Sequence, residues 1–134
     1  MKYLLDTNIC IYLIRGTSAT LLQKLIAHPV SDIAISSITV AELQFGVQKS
    51  SQPQQNQQAL SRFILPFSVL DFDYNAAIAY GHVRAYLNSQ GTPIGSLDTL
   101  IAAQALSKSL IIVTNNVSEF SRVPGLQVED WTTS

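Results

Sequence analysis

The sequence predicts an α/β sandwich with a mostly parallel central sheet. Short apolar runs of strand length alternate with longer segments in which apolar residues recur at helical spacing. Strands that alternate with helices in this way are joined by crossover connections and therefore run parallel. Two of the apolar runs also end in the same kind of polar residues, at positions 4–8 (LLDTN) and 112–116 (IVTNN). These observations predict a layered fold with polar strand ends at a common edge.

Five strands and six helices are predicted from this alternation. The strands are expected at residues 2–5, 32–35, 68–71, 110–113 and 127–129. The helices are expected at residues 9–14, 19–27, 37–49, 53–65, 74–88 and 97–107. Ser36 or Ser37 can cap the third helix, and Pro53 suits the first turn of the fourth. Gly16 and Pro29 interrupt the helical pattern at the ends of the first two helices. Because the glutamine-rich start of the fourth helix continues into an apolar pattern, it is predicted to be a surface helix, low-complexity disorder being the alternative.

Size and composition indicate a single domain over residues 1–134. A chain of 134 residues can bury a sizeable core, and 47% hydrophobic with 13% charged residues is not a disordered composition. The net charge of −1 disfavours binding of nucleic acid through bulk electrostatics, so any such contact would be brief, local or supported by a partner. The single cysteine, Cys10, excludes an internal disulfide and a cysteine-based zinc site, and its apolar neighbours predict a core position.

The apolar segments are too short to predict a membrane span. None reaches the roughly 18 consecutive apolar residues that a spanning helix needs. Asp6 lies where a signal peptide would have its apolar stretch. The sequence is therefore expected to encode a soluble, cytoplasmic protein that does not enter a membrane.

Polar residues follow two of the predicted strands. Asp6 and Thr7 end the first, and Thr114 and Asn116 end the fourth. In parallel sheets ligands bind beyond the carboxyl ends of the strands, so neighbouring ends of this kind can converge on one ligand. The alternative is that these side chains only cap helices or form turns.

Two further acids lie in largely apolar helices. Glu42 shares a helical face with Ile38 and Phe45, and a buried carboxylate there would need a positive partner. Asp98 begins an apolar helix, where it could instead complement the helix dipole. Oxygen ligands without paired histidine or cysteine favour Mg²⁺ or Mn²⁺ over zinc. His28 and His82 are interpreted as structural, so a cation that activates water is preferred to a protein nucleophile.

Four ordered motifs resemble those of VapC-type PIN-domain toxins. They are residues 3–8 (YLLDTN), 37–43 (SITVAEL) with Gly46, 94–103 (IGSLDTLIAA) and 113–116 (VTNN) with Glu119 and Phe120, and the ending at residues 122–131 is similar too. The resemblance runs nearly end to end. It implies a PIN-like three-layer sandwich and an Mg²⁺-dependent endoribonuclease acting on structured RNA, often transfer RNA. It further implies a homodimer that is held inactive by a cognate VapB-type antitoxin.

The resemblance also assigns site residues by position. Asp6, Glu42 and Asp98 match the family's metal-site acids, and Thr7 and Thr114 match polar positions beside them. The sequence departs from the family pattern at position 116.

Many family members carry an aspartate where this chain has Asn116. An amide oxygen can still bind a cation or a water but brings no charge. Glu119, one helical turn on, could supply the missing carboxylate. Whether Asn116 or Glu119 is the fourth ligand, and whether one or two ions bind, stays open. Trp131 is expected to pack the carboxyl-terminal tail onto the body.

Three other functions were weighed against a nuclease. A phosphoacceptor receiver domain pairs its acids with a lysine after a late strand, whereas Asn115 and its neighbours follow the strand here. A haloacid-dehalogenase phosphatase has a second acid two places after the first, where this chain has Asn8. A non-enzymatic binding module would tolerate neutralised acids. The nuclease is preferred, and the sequence identifies neither the RNA nor the bond that is cut.

Overall fold

Five parallel strands form the central sheet of the computed structural model, which describes residues 1–133. The order across the sheet is β3-β2-β1-β4-β5. The strands are β1 (Tyr3–Leu5), β2 (Ile33–Ser36), β3 (Ser68–Leu70), β4 (Ile111–Val113) and β5 (Val128–Glu129). All four strand pairings are parallel, with Leu4 opposite both Ala34 and Ile112. The predicted strands and their parallel arrangement are confirmed, and Ser134, the last residue of the predicted domain, lies outside the described residues.

Seven α-helices cover the two faces of the sheet in residues 1–133. They are α1 (Thr7–Arg15), α2 (Ala19–Ile26), α3 (Ser37–Gln48), α4 (Pro53–Ile64), α5 (Tyr74–Ser89), α6 (Ser96–Ser107) and α7 (Val117–Phe120), with a 3₁₀ turn at Val30–Asp32. The six predicted helices are confirmed, including the glutamine-rich α4. The one-turn α7 and the 3₁₀ turn were not predicted as elements, because they are too short for an apolar period to show.

Side chains at the helix ends explain where the helices begin and end. Ser36, one of the two predicted caps, accepts a hydrogen bond from the Ile38 N–H at 3.0 Å. Asp73 caps α5 in the same way. Gly16 ends α1 with φ +68°, a left-handed conformation that glycine adopts without strain. The predicted boundaries therefore rest on local hydrogen bonding as well as on the apolar pattern.

The sheet separates two apolar clusters, which makes the fold a three-layer sandwich. Tyr3 and Leu5 of β1 point into a cluster with α1–α4, whereas Leu4 points into a cluster with α5 and α6. Every residue of β1 is buried, as expected for a central strand covered on both faces. Cys10 is fully buried in the first cluster, which confirms its predicted core position, and burial raises the pKa of its thiol.

Trp131 packs the carboxyl-terminal tail onto the body, as predicted. Its ring is stacked on His28 with centroids 4.8 Å apart, and it meets Tyr3 edge-on at 4.9 Å. Its indole N–H donates to Glu129 at 2.9 Å, and only 4% of the residue is exposed. His28 thus has the structural role expected from the sequence.

No single helix in the described part of the chain is long and apolar enough to cross a membrane. Only α1 and α2 taken together pass by length and composition, and they are bent by 105° relative to each other.

Candidate active site

The carboxyl ends of β1 and β4 lie side by side, as the two polar strand ends suggested. The backbone N–H of Asp6 donates to the carbonyl of Val113 at 3.0 Å, which extends the strand pairing by one residue. Thr114 continues β4 next to Asp6 and is fully buried. The two polar strand ends therefore form one site.

Asp6 is held by two hydrogen bonds in a buried position. Its Oδ1 accepts from the Ile9 N–H at 2.9 Å and so caps α1, and its Oδ2 accepts from the Thr114 hydroxyl at 2.5 Å. Only 3% of the residue is exposed. Burial raises the pKa of Asp6 to about 6, the charge of Glu42 adds to the rise, and the two hydrogen bonds oppose it. Asp6 is therefore a fixed carboxylate whose ionised form is costly.

Glu42 reaches the same site from α3. Its Oε1 accepts from the Thr7 hydroxyl at 2.6 Å, and the hydroxyl oxygens of Thr7 and Thr39 are 3.2 Å apart. Glu42 is only partly buried and Phe45 is 66% exposed, so the apolar face that they share is not part of the core.

Asp98 and Glu119 bring two more carboxyl groups together. Burial is the main reason that the pKa of Asp98 is raised. A hydrogen bond to Glu119 and the charges of Glu119, Asp6 and Glu42 raise it further, in that order. Since each of these acids acts on Asp98, the four carboxyl groups form one electrostatic unit, called the acid cluster below.

Asn116 faces Glu119 through its amide nitrogen. Its Nδ2 donates to Glu119 Oε2, and its backbone N–H donates to Thr114 Oγ1 at 2.9 Å. Of the two candidates for a fourth acidic position, Glu119 thus places a carboxyl group against Asp98, and Asn116 orients it. The metal-binding roles assigned to these residues stay predictions.

In the part of the chain that the structure describes, no lysine or arginine forms an ion pair with the acid cluster. The only ion pair in residues 1–133 joins Lys108 and Asp73 at 2.8 Å, outside the cluster. Within the same residues, no three acidic, histidine or cysteine side chains already converge closely enough to hold one metal ion. Three of the acids instead have hydroxyl or amide hydrogen-bond partners, Asp6 with Thr114, Glu42 with Thr7 and Glu119 with Asn116.

The structure adds two features that the sequence did not predict. Thr39 is fully buried beside Thr7, and the only indication was a threonine one helical turn before Glu42. At the rim, the Asn115 amide donates to the Tyr12 hydroxyl at 3.1 Å. Neither contact follows from a local pattern, since the partners are far apart in the chain.

An open groove of about 920 Å³ runs from the acid cluster between α1, α3 and α4. Its walls are mainly apolar, and Arg15 and Lys49 lie on its lining. Thr7 and Glu42 also line it, so the groove and the cluster are continuous. Phe45 lines the groove with most of its ring exposed. This groove, called the apolar groove below, is large enough for a polypeptide segment.

Comparison with known proteins gives one consistent answer. The family model described as PIN domain matches residues 3–126. The chain is 43% identical to the tRNA(fMet)-specific endonuclease VapC of Salmonella typhimurium over 131 residues, 98% of each chain. It is 42% identical to the Ribonuclease VapC2 of Rickettsia felis over 132 residues, again 98% of each.

Solved structures agree with these relatives. DNA-bound VapBC from Salmonella typhimurium contains a chain that matches with a TM-score of 0.93 and 42% identity, covering 98% of both chains. VapBC2 from Rickettsia felis, bound to a DNA fragment from their promoter, matches with a TM-score of 0.92 and 41% identity, covering 98% of this chain and 99% of that one. The chain therefore belongs to the PIN-domain family, within which it is a ribonuclease of the VapC type.

Proposed function

We propose that the chain is an Mg²⁺-dependent endoribonuclease that cuts structured RNA and acts in the cytoplasm as the toxin of a toxin–antitoxin pair. The observation that carries this proposal is the acid cluster. Four carboxyl groups from separate elements lie near one another beside the buried Asp6, with no ion-pair partner among the described residues. Concentrating negative charge around a buried carboxylate is costly unless a cation offsets it.

The donor set fits a hard divalent cation. Asp6, Glu42 and Asp98 would hold the ion, with Glu119 as a further ligand, and all four offer carboxylate oxygens. Mg²⁺ prefers such oxygens, and Mn²⁺ accepts them as well. Glu42 and Glu119 are each hydrogen-bonded to a neutral side chain, so neither carboxylate is already neutralised by a protein cation.

The chain's own residues fix the geometry of the reaction. Thr114 and the N-terminal turn of α1 orient Asp6, and Thr7 orients Glu42 through a single oxygen, which leaves Oε2 free. A bound Mg²⁺ lowers the pKa of a coordinated water and stabilises charge on the phosphate. The carboxylates place that chemistry against one phosphodiester bond, and no side-chain nucleophile is needed.

The substrate is proposed to be a transfer RNA. A relative that is 43% identical over 98% of both chains is named as a tRNA(fMet)-specific endonuclease. We expect the purified chain to cut a tRNA(fMet) transcript at one position with Mg²⁺, as mapped by sequencing the new 5′ ends. Excess EDTA should stop cleavage and added Mg²⁺ should restore it. Undiminished cleavage in EDTA would contradict the metal mechanism, and equal cutting of all RNAs would contradict the substrate.

The partner is proposed to be a VapB-type antitoxin segment that fills the apolar groove. The solved relatives are toxin–antitoxin complexes, and the groove leads into the acid cluster. An apolar antitoxin segment that ends in a basic side chain would suit both the apolar groove and the acid cluster, because it would bury Phe45 and neutralise the acids. Occupation of this groove would also block access of RNA to the acids.

Phe45→Glu is expected to weaken antitoxin binding at least tenfold, because an exposed aromatic ring in a groove is the type of residue that dominates interface energies. Binding is measured by titrating the antitoxin into the purified chain. Ile26→Glu is the matched control, since Ile26 is 72% exposed on α2 and does not line the groove. Equal losses for the two variants would show that the segment docks elsewhere.

A homodimer is also proposed, because apolar residues remain exposed outside the groove. Tyr74 and Ile78 lie one turn apart on α5 and are 79% and 47% exposed. Such a face is a typical contact surface. Light scattering of the chain without antitoxin should give the mass of a dimer at micromolar concentration, and a monomer mass would contradict the proposal.

A further inference from the structure

A small hollow is lined by Ser96 and Thr99, which precede and follow Asp98 of the acid cluster in the chain. Its volume is about 140 Å³, and it lies between α5 and the segment that leads into α6. Tyr80 and Arg84 line it from α5, and Pro93, Ser96 and Thr99 line it from the other side. Pockets that enclose a whole small ligand usually measure about 300–1,000 Å³, so this hollow suits one group of a larger ligand.

Two arginines without acidic partners lie at this hollow. The Arg84 guanidinium is exposed and forms no ion pair with a carboxylate among residues 1–133, and its Nη1 donates to the Tyr80 hydroxyl at 3.0 Å. Arg122 Nη1 donates to the carbonyl of Pro93 at 3.1 Å, on the rim. A guanidinium has five N–H groups, so both retain donors for a ligand. The geometry matches phosphate, which arginine binds in a bidentate manner.

Residues at the hollow are close in the chain to two acids of the cluster. Ser96 and Thr99 flank Asp98 in the first turn of α6, and Arg122 follows Glu119 by three residues. In a chain with only eight lysines and arginines, free positive charge at this position is notable. Phosphate contacts of this kind fix the register of a nucleic acid rather than its sequence.

We propose that the hollow binds a backbone phosphate of the RNA next to the bond that is cut, with Arg84 as its main ligand. Arg122 and the Tyr80 hydroxyl provide further hydrogen-bond donors at the rim of the hollow. This inference rests on the proposed ribonuclease function. It assigns Arg84 a positioning role, because the guanidinium holds the RNA strand while the acids face the cleaved bond.

The test compares Arg84→Gln with the wild-type chain on a transfer RNA transcript. We expect KM to rise about tenfold with kcat within twofold, because one charge-assisted contact is lost outside the reacting atoms. The salt dependence of binding should fall by about 0.7 in the log–log slope, the value for one phosphate on a single strand. Arg84→Lys should recover part of the loss, since it keeps the charge but not the bidentate geometry.

Arg62→Gln is the matched control. Arg62 is exposed on α4, so this substitution removes the same charge at a position away from the hollow. It should leave KM and the salt slope unchanged. Equal effects of Arg62→Gln and Arg84→Gln, or no effect of Arg84→Gln, would overturn the inference while wild-type cleavage still supports the proposed function. If the wild-type chain neither binds nor cuts RNA, both fall together.

A synthetic RNA stem-loop with single methylphosphonate linkages locates the phosphate. Each such linkage neutralises one phosphate near the cleaved bond. At one linkage the wild-type chain should lose about tenfold in kcat/KM, whereas Arg84→Gln should lose nothing further, which is the coupling expected of a direct contact. Losses that multiply at every linkage would show that Arg84 contacts none of them.

Discussion

Replacing Asp6 or Asp98 with asparagine is expected to abolish RNA cleavage, by about 10³-fold or more, while the fold stays intact. Each change removes one formal charge from the acid cluster but keeps the side-chain size. Asparagine is also a good N-cap, so the Asp6→Asn side chain can still accept from the Ile9 N–H and begin α1. Cleavage rates on a transfer RNA transcript and growth after induction measure the effect. Asp32→Asn is the control, because Asp32 precedes β2 at the opposite edge of the sheet.

Asp6→Asn should also make the metal-free protein more stable. Because burial raises the pKa of Asp6 to about 6, its ionised form costs free energy in the folded state. That cost is absent below about pH 4, grows as the pH rises to about 6, and is complete above it.

The free energy of unfolding of Asp6→Asn should therefore exceed that of the wild-type chain by about 1–2 kcal/mol at pH 7 in EDTA, after allowance for the altered Thr114 hydrogen bond. At pH 3.5 the two proteins should be equally stable. Urea unfolding at the two pH values measures this. A variant that is less stable than the wild-type chain at pH 7 would show that Asp6 is held by stabilising contacts rather than strained by burial.

Asn116→Asp is expected to lower the Mg²⁺ concentration for half-maximal cleavage by about tenfold. Two divalent ions about 4 Å apart, as in two-metal nucleases, need several negative charges to offset their repulsion. Asp6, Glu42 and Asp98 supply three, and Asn116 supplies none. An aspartate at position 116 would add a charge beside Glu119, where the asparagine amide now donates. Titration of cleavage rate against Mg²⁺ measures the shift.

Glu119→Gln should raise the Mg²⁺ requirement in the wild-type background, and less so in a chain that already carries Asn116→Asp. The reason is that the two positions would supply the same missing charge. The double variant therefore tests whether they share one site. If the two substitutions act additively and neither changes the Mg²⁺ dependence, Asn116 and Glu119 are turn and helix residues outside the metal site.

Most of the fold could be predicted because its elements carry strong local patterns. The central strands are continuous apolar runs, and Ser36 and Gly16 mark helix ends through their own hydrogen bonding and backbone conformation. The prediction that residues 4–8 and 112–116 converge held only if β1 and β4 were neighbours, and they are. Sequence alone supplies no register, so the adjacency required the structure.

The site was predicted less completely, because its contacts join distant positions. Glu119 lies 21 residues after Asp98, and only the family resemblance around Asn116 indicated that their carboxyl groups could share a site. The apolar side of α3 suggested a buried face, whereas Phe45 lies exposed in the apolar groove. An apolar pattern does not distinguish a core contact from a docking surface.

The residues of the acid cluster are far apart in the sequence, so they are synthesised at different times. Asp6 is made almost first, whereas β4, which lies between β1 and β5, and Glu119 are made near the end. A nascent chain that stops before residue 111 lacks the strand whose Val113 carbonyl binds the Asp6 N–H, and lacks Thr114 as well. We therefore expect a chain that stops before residue 111 to have no ribonuclease activity, so that an unfinished chain on the ribosome would not cut the RNA around it.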